Sequence, residues 1–157
     1  IKELFIHKNG NELSAPNLLS YEEINHSFWS TPADIFIPCA GSRMITEAQL
    51  DQLLHSGVEV ISSGANVPFA DQEIFFGPIA EKADASLALI PDFIANCGMA
   101  RVFAYLMSSD LNSLDDALIF EDASQTIRKA LAQTHHNNSS ARGIAKTAFE
   151  IALKQLV

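Results

Sequence analysis

With 157 residues, 48% of them hydrophobic, the chain is long enough to bury one sizeable core. Its 19 Asp and Glu residues against 10 Lys and Arg give a net charge of −9, so it would repel a phosphate backbone, and we expect no nucleic-acid partner. No apolar stretch reaches the roughly 18–20 residues that span a bilayer, and the first residues lack a signal-peptide pattern, so we expect a cytoplasmic protein with no membrane partner.

The first ninety residues predict short strands that alternate with helices. Runs of apolar, β-prone residues bounded by turn signals predict strands at 4–6, 33–38, 58–62 and 86–90. The chain starts at Ile1 and enters the first of these strands almost at once, so we expect it to be a truncated or processed piece of a longer polypeptide. Alternation of this kind indicates a parallel sheet with helices on both faces.

Two of the helices in this part begin with a recognisable cap. Ser20 with Glu23, and Thr46 with Gln49, have capping-box spacing, which predicts a helix after each pair. The other helices predicted here are 71–82, broken at 77–78 by Gly and Pro, and 96–107, capped by Asn96.

The last third of the chain predicts helices alone. Ser113 with Asp116 opens a helix with one apolar side, and the polar stretch 135–140 ends that helix. A final helix carries apolar residues at spacings of three and four, namely Ala145, Phe149, Ala152 and Leu156. This part is therefore expected to be a helical C-terminal extension of the sheet.

Small residues and amides follow three of the predicted strands. The strands ending at Pro38, Ser62 and Ile90 should lie side by side, and the residues after them are small enough for a flat ring to approach the backbone. Asn66 and Asn96 each offer an acceptor and two donors in a rigid plane, which suits a ribose hydroxyl or a carboxamide. The alternative interpretation is that both asparagines only stabilise a turn and a cap.

Four segments carry a resemblance to a known family, namely DIFIPCAG at 34–41, ISSGAN at 61–66, LIPD at 89–92 and IANCG at 94–98. In this order they resemble the second half of the cofactor domain of the Glu/Leu/Phe/Val amino-acid dehydrogenases. The resemblance implies a Rossmann-like α/β fold, with a partial cofactor-binding domain at 1–110 and the helical extension at 111–157 packed on it. It also implies cofactor contacts from Cys39, Ala40, Gly41, Asn66 and Asn96.

The resemblance further implies a reaction. In that family an L-amino acid such as Glu, Leu, Phe or Val is oxidatively deaminated to the 2-oxo acid, with hydride transfer to NAD or NADP and release of ammonia. Asn66 would approach the nicotinamide ribose, and Asn96 would lie near the nicotinamide and the substrate. Basic or neutral groups at His7 and Lys8 would favour NADP if the first strand ends beside the adenosine ribose.

The chain also departs from the family pattern. It has no G-x-G-x-x-G turn for the pyrophosphate and nothing that resembles the substrate domain with its catalytic lysine and aspartate, so we expect an incomplete domain. Met99 replaces the second glycine of the N-x-G segment, and Phe103 stands where a serine usually meets the substrate carboxylate. The chain alone is therefore expected to supply the nicotinamide-side half of the site, with no catalytic residue and no activity.

Two functions stay open on these observations. One is part of an NAD(P)-dependent amino-acid dehydrogenase, with the dinucleotide as partner and the amino-acid substrate reached through the absent domain. The other is a non-catalytic Rossmann-like binding or assembly module. In either case a missing first strand leaves an open sheet edge, which predicts a homo-oligomer.

The other candidate groups are more simply explained by structural roles than by binding or catalysis. His135 and His136 point in different directions on a helix and lack a third ligand, so we expect no metal site. Cys39 and Cys97 are expected to be free thiols. Arg101 either holds an anionic ligand or forms a surface ion pair, and the second is the commoner role.

Overall fold

The computed structural model describes residues 2–10, 12, 15–74, 76–108 and 115–155. The elements in the described part, in chain order, are α1 (Lys2–Ile6), α2 (Tyr21–Ser27), a 3-10 turn (Phe28–Ser30), β1 (Ile35–Phe36), α3 (Glu47–His55), β2 (Val60–Ser62), α4 (Pro78–Ser86), β3 (Ala88–Ile90), α5 (Asp92–Ala95), α6 (Gly98–Ser108), α7 (Asp116–Asn137) and α8 (Ile144–Lys154). Within these residues, no helix combines the length and the apolarity needed to cross a membrane.

The three strands form one parallel sheet in the order β1-β2-β3. Ile61 in the central strand pairs with Phe36 on one side and Leu89 on the other. Helices α3 and α4 form the two crossover connections. They lie on the same face of the sheet, where Lys82 of α4 forms ion pairs with Glu47 and Asp51 of α3 at 2.9 and 2.8 Å. The predicted α/β fold, a parallel sheet with flanking helices, is confirmed.

The main core fills the space between the sheet and helices α3 and α4. Ile61 and Leu89 point into it from the sheet, and α3 contributes Leu50 and Leu53. The other buried members come from the loops and the remaining helices, namely Trp29, Ile45, Val58, Phe69, Ala83, Leu87 and Ala145. Helix α8 therefore packs into the same core as the sheet.

The opposite face of the sheet is bare at β1. Because side chains alternate along a strand, Ile35 and Ile37 point away from the main core. These two side chains are 59% and 58% exposed. Among the described residues, β1 has a hydrogen-bonded strand on one side only. A parallel strand is normally covered on both faces, so this surface is unusual for the architecture.

The capping-box predictions are confirmed, but three other local predictions are wrong. The strand predicted at 4–6 lies in helix α1, because a short apolar run has no period that separates strand from helix. Residues 71–74 are not helical, and the helix begins at Pro78. Asn96 ends α5 rather than starting a helix, and a separate helix, α6, begins at Gly98.

The remaining differences are small. Strands β1, β2 and β3 are shorter than predicted, because regular pairing covers only two or three residues of each strand. The predicted cap Ser113 and the apolar Leu156 lie outside the described residues. Asp115 caps α7 instead, since its carboxylate accepts a hydrogen bond from the backbone N–H of Ala117 at 2.8 Å.

A buried carboxylate ties α8 to α4. Gly143 precedes α8 and has no side chain to cap it, so Asp84 of α4 accepts hydrogen bonds from the backbone N–H groups of Ala145 and Lys146 at 2.8 and 3.0 Å. Asp84 is 2% exposed, and this burial raises its pKa, against the lowering effect of the backbone donors. The last helix thus depends on a carboxyl group that lies 61 residues before Ala145 in the chain.

Replacing Asp84 tests this tie. We expect Asp84→Ala to lower the free energy of unfolding by about 1–3 kcal/mol, because two backbone donors lose a buried acceptor. Since the folded-state pKa is raised, the stabilising effect of the neutral carboxyl is present at low pH and is lost as pH rises through the raised pKa. In urea unfolding between about pH 3 and pH 7, the stability of the wild type relative to Asp84→Asn should therefore fall. A difference that rises with pH would contradict this.

Candidate functional site

Three loops meet beyond the carboxyl ends of the strands, and we call them the crevice loops: 37–46 after β1, 63–77 after β2 and 91–97 around α5. The first two are joined by backbone hydrogen bonds. Arg43 N–H donates to the carbonyl of Val67 at 2.7 Å, and Ile45 N–H donates to the carbonyl of Pro68 at 3.0 Å. The Arg43 guanidinium also donates to the backbone carbonyl of Asp71. Parallel α/β sheets bind ligands at this edge.

The two asparagines predicted as site residues contact each other. Asn96 Nδ2 donates to Asn66 Oδ1 at 2.6 Å, although thirty residues separate them in the chain. Both residues are exposed. The bond uses one of the two donors of Asn96 and part of the acceptor of Asn66, so the pair keeps further hydrogen-bonding capacity. The alternative, in which each asparagine serves only its own turn, does not account for a bond between two loops.

The residue after Asn66 is held in an unfavourable backbone conformation. Val67 has a φ of 44°, in the left-handed region that β-branched residues avoid. Strain of this kind costs about 1–3 kcal/mol and persists only where the surroundings impose it. Here the Val67 N–H donates to Asp92 Oδ2 at 2.7 Å, while its carbonyl accepts from Arg43. Val67 therefore joins all three crevice loops.

Asp92 is the site residue to which the sequence assigned no role. Its Oδ2 holds Val67, and its Oδ1 accepts the N–H of Phe93 at 2.8 Å. An acidic residue after Pro91 at the start of a helix is a usual feature of a first turn, so the sequence signal indicates only a helix start. The bond to Val67 spans twenty-five residues and becomes visible only in three dimensions.

The segment Cys39–Ala40–Gly41 lies at the end of β1, beside the β2 loop. Gly64 packs so closely that a Cβ atom built there would lie 2.6 Å from Cys39 Sγ and 3.3 Å from the Pro38 carbonyl oxygen. Cys39 and Ala40 are exposed, and Gly41 is half-buried. In the described part of the chain, no side-chain hydrogen bond joins this segment to either asparagine. The absence of a side chain at Gly64 therefore lets the segment after β2 pack directly against the segment after β1.

Other candidate groups near the crevice are occupied or apolar. Arg101 donates two hydrogen bonds to Asp122, from Nε to Oδ2 at 2.5 Å and from Nη2 to Oδ1 at 2.8 Å, so the ion-pair interpretation is the one the structure supports. This guanidinium lowers the pKa of the Asp122 carboxyl. Met99 and Phe103 are exposed on α6. Over the described residues there is no cluster of His, Cys, Asp and Glu that would hold a metal ion, and neither Cys39 nor Cys97 forms a disulfide.

The sequence matches a family model, Glutamate/Leucine/Phenylalanine/Valine dehydrogenase, over residues 4–157. The chain belongs to this family. A curated relative, the NADP-specific glutamate dehydrogenase of Psychrobacter sp. (strain TAD1), is 30% identical over 113 residues. That alignment covers 72% of this chain and 24% of the relative, so the chain spans about a quarter of the length of the curated dehydrogenase.

Solved dehydrogenase structures share the fold. The crystal structure of Plasmodium falciparum glutamate dehydrogenase superposes with a TM-score of 0.61 at 18% identity, covering 81% of this chain and 30% of that one. A point variant of glutamate dehydrogenase superposes with a TM-score of 0.60 at 15% identity, covering 86% of this chain and 33% of that one. At these identities the likeness concerns the fold of this family member and not its chemistry.

The close approach at Gly64 can be tested by a double-mutant cycle. We expect Gly64→Ala to destabilise this dehydrogenase-family chain by about 1–3 kcal/mol in urea unfolding, because the new methyl group would overlap Cys39 Sγ. In a Cys39→Ala background the same substitution should cost less, since the contact with Pro38 then remains as the only tight one. Equal costs in both backgrounds would contradict this packing. Gly98→Ala is the matched control, because a Cβ there meets no atom within 4 Å.

Proposed function

We propose that this chain forms the nicotinamide-side half of a cofactor site in an NAD(P)-dependent amino-acid dehydrogenase. The reaction is the oxidative deamination of an L-amino acid such as Glu, Leu, Phe or Val to the 2-oxo acid with release of ammonia. The observation that carries the proposal is the Asn66–Asn96 pair, which two crevice loops present at the ligand-binding edge of the sheet. Membership of the dehydrogenase family supports the same assignment.

The residues present fit the nicotinamide end of a dinucleotide. Two amide side chains provide donors and acceptors for a carboxamide and a ribose hydroxyl. When bound, the nicotinamide supplies the hydride acceptor. Asn66 and Asn96 do not titrate, so they bind and orient without moving a proton. We propose that Cys39, Ala40 and Gly41, which follow β1 and are exposed or half-buried, contact the same ligand.

The rest of such an enzyme lies in sequence that this chain does not contain. The pyrophosphate needs backbone donors like those of a glycine-rich turn, and the amino acid needs a catalytic base and a carboxylate-binding group. We therefore propose that the chain alone has no dehydrogenase activity, and that it acts in the cytoplasm without nucleic acid or membrane. NAD and NADP both remain candidate cofactors. The Psychrobacter relative is named for NADP. The preference for NADP predicted from His7 and Lys8 depended on a strand before them, and that segment is helix α1.

Titration of the isotopically labelled chain with nicotinamide mononucleotide, NAD and NADP tests the proposal. We expect weak binding that shifts the NMR signals of Cys39, Gly41 and the side-chain amides of Asn66 and Asn96. Asn66→Ala and Asn96→Ala should each weaken binding roughly 3-fold to 10-fold, which is the effect of losing one hydrogen bond. Asn137→Ala is the matched control, because this exposed asparagine donates a hydrogen bond within α7, to the Gln133 carbonyl at 2.8 Å. Unchanged affinity in both crevice variants would reject the proposed site.

The non-catalytic alternative, a binding or assembly module, would use a different surface, the bare face of β1. Ile35 and Ile37 leave one face of β1 bare, and an exposed apolar surface of this kind is typical of a protein–protein interface. We propose that the chain forms a homo-oligomer through this surface. Self-association is compatible with either function, so it does not decide between them.

Sedimentation velocity over a range of concentrations tests the oligomer. We expect the wild-type chain to associate as its concentration rises, and Ile37→Lys to remain monomeric, because a charge on the bare face opposes its burial in an interface. The matched control is Leu118→Lys on α7, where a leucine of similar exposure lies on a different element. A monomeric wild type at all concentrations, or loss of association in the control alone, would contradict the proposed surface.

A further inference from the structure

The Asn66–Asn96 pair is built on a strained neighbour. Val67 directly follows Asn66, and its φ of 44° is a conformation that valine does not keep unless its surroundings impose it. If Val67 relaxed to an extended conformation, the peptide group between Asn66 and Val67 would rotate. Asn66 would then be carried away from Asn96, because its side chain moves with that backbone. The geometry of the amide pair therefore depends on whatever holds Val67.

Two bonds hold Val67, and they differ in kind. Its carbonyl accepts a backbone hydrogen bond from Arg43, which every non-proline residue at that position would donate. Its N–H donates to the carboxylate of Asp92 at 2.7 Å, a charge-assisted bond of the stronger type that only a suitable side chain provides. Asp92 is thus the one side chain, within the described part of the chain, that hydrogen-bonds to the Val67 backbone.

Asp92 is also placed to act on both members of the pair. It lies at the start of α5, and Asn96 ends that helix, with its backbone N–H donating to the Asp92 carbonyl at 2.7 Å. The same residue therefore contacts Val67 through its side chain and Asn96 through its backbone. Asn66 directly precedes Val67, and Asn96 bonds to the backbone of Asp92. The bond between Asp92 and Val67 therefore lies next to the bond between the two asparagines.

We propose that Asp92 is a positioning residue: by holding Val67 in its left-handed conformation, its carboxylate keeps Asn66 bonded to Asn96 and so prepares the amide pair for a nicotinamide ligand. The ligand part of this statement rests on the proposed function, whereas the positioning of the pair does not. In this role the carboxylate acts through the Val67 backbone and not through a proton transfer to the ligand.

The competing role for Asp92 is a local one. Its Oδ1 accepts the N–H of Phe93, and an acidic residue in a first helical turn interacts favourably with the helix dipole. A purely local role predicts that removing the carboxylate disturbs α5 and leaves Val67 and Asn66 unchanged. A positioning role predicts that the largest change occurs at Val67, twenty-five residues from Asp92, and that α5 changes less.

The experiment compares Asp92→Ala and Asp92→Asn with the wild-type chain by NMR. Two readouts are used: hydrogen exchange of the Val67 backbone amide, and the chemical shift of the Asn96 side-chain amide. We expect Val67 exchange to accelerate at least about tenfold in Asp92→Ala, with a smaller effect in Asp92→Asn, which keeps one acceptor oxygen. Asp115→Asn is the matched control, because that carboxylate also bonds a backbone N–H at a helix start but lies outside the crevice.

A second variant separates positioning from general loosening. Glycine adopts positive φ without a steric penalty, so Val67→Gly removes the strain that Asp92 has to oppose. We expect Asp92→Ala to shift the Asn96 amide signal less in the Val67→Gly background than in the wild type. Equal shifts in both backgrounds would show that Asp92 does not act through Val67 and would overturn the inference.

Affinity for nicotinamide mononucleotide separates this inference from the proposed function. If the wild type binds and Asp92→Ala binds several-fold more weakly, and the Val67 and Asn96 signals change as described, the positioning role and the proposed cofactor site are both supported. If no variant binds but the Val67 and Asn96 signals respond, the positioning role stands and the proposed cofactor site fails. If Asp92→Ala leaves both signals at their wild-type values, the positioning role is wrong whatever the affinity. Should Asp92→Ala unfold, the same comparisons are made with Asp92→Asn.

Discussion

Parallel pairing of β2 with both neighbours is the constraint on which the rest of the structure depends. Ile61 of β2 is completely buried and pairs with Phe36 and Leu89, so the three strands run in one direction and end at one edge. The loops that follow them are brought to one edge, where hydrogen bonds between the loops then fix their geometry. Residues far apart in the chain, such as Asn66 and Asn96, become neighbours for this reason.

Carboxylates that bond distant backbone groups add a second level of organisation. Asp71 accepts the N–H groups of Ile79 and Ala80, Asp84 accepts those of α8, and Asp92 accepts that of Val67. Each places carboxyl oxygens where backbone N–H groups need an acceptor. Part of the acidic composition therefore has a structural purpose. It does not imply a cationic partner.

The sequence predicted what depends on local chemistry. The capping boxes at Ser20 and Thr46 are interactions over three residues, and the alternation of strands with helices is enough to indicate a parallel sheet. The sequence did not predict features that depend on contacts between residues far apart in the chain. The bond between Asp92 and Val67 has no local signature, and only the fold shows that Asn66 and Asn96 touch. The short apolar run at 4–6 had no period long enough to exclude a helix.

The bond between Asn66 and Asn96 has a thermodynamic consequence for any ligand that uses these amides. A carboxamide that takes the place of either partner exchanges one hydrogen bond for another, so the net gain in binding free energy is small. A ligand with mismatched polar groups breaks the bond without replacing it and leaves an amide unsatisfied. Affinity at the pair therefore comes from the donors and acceptors that this bond leaves free, and a ligand that uses them keeps the bond intact.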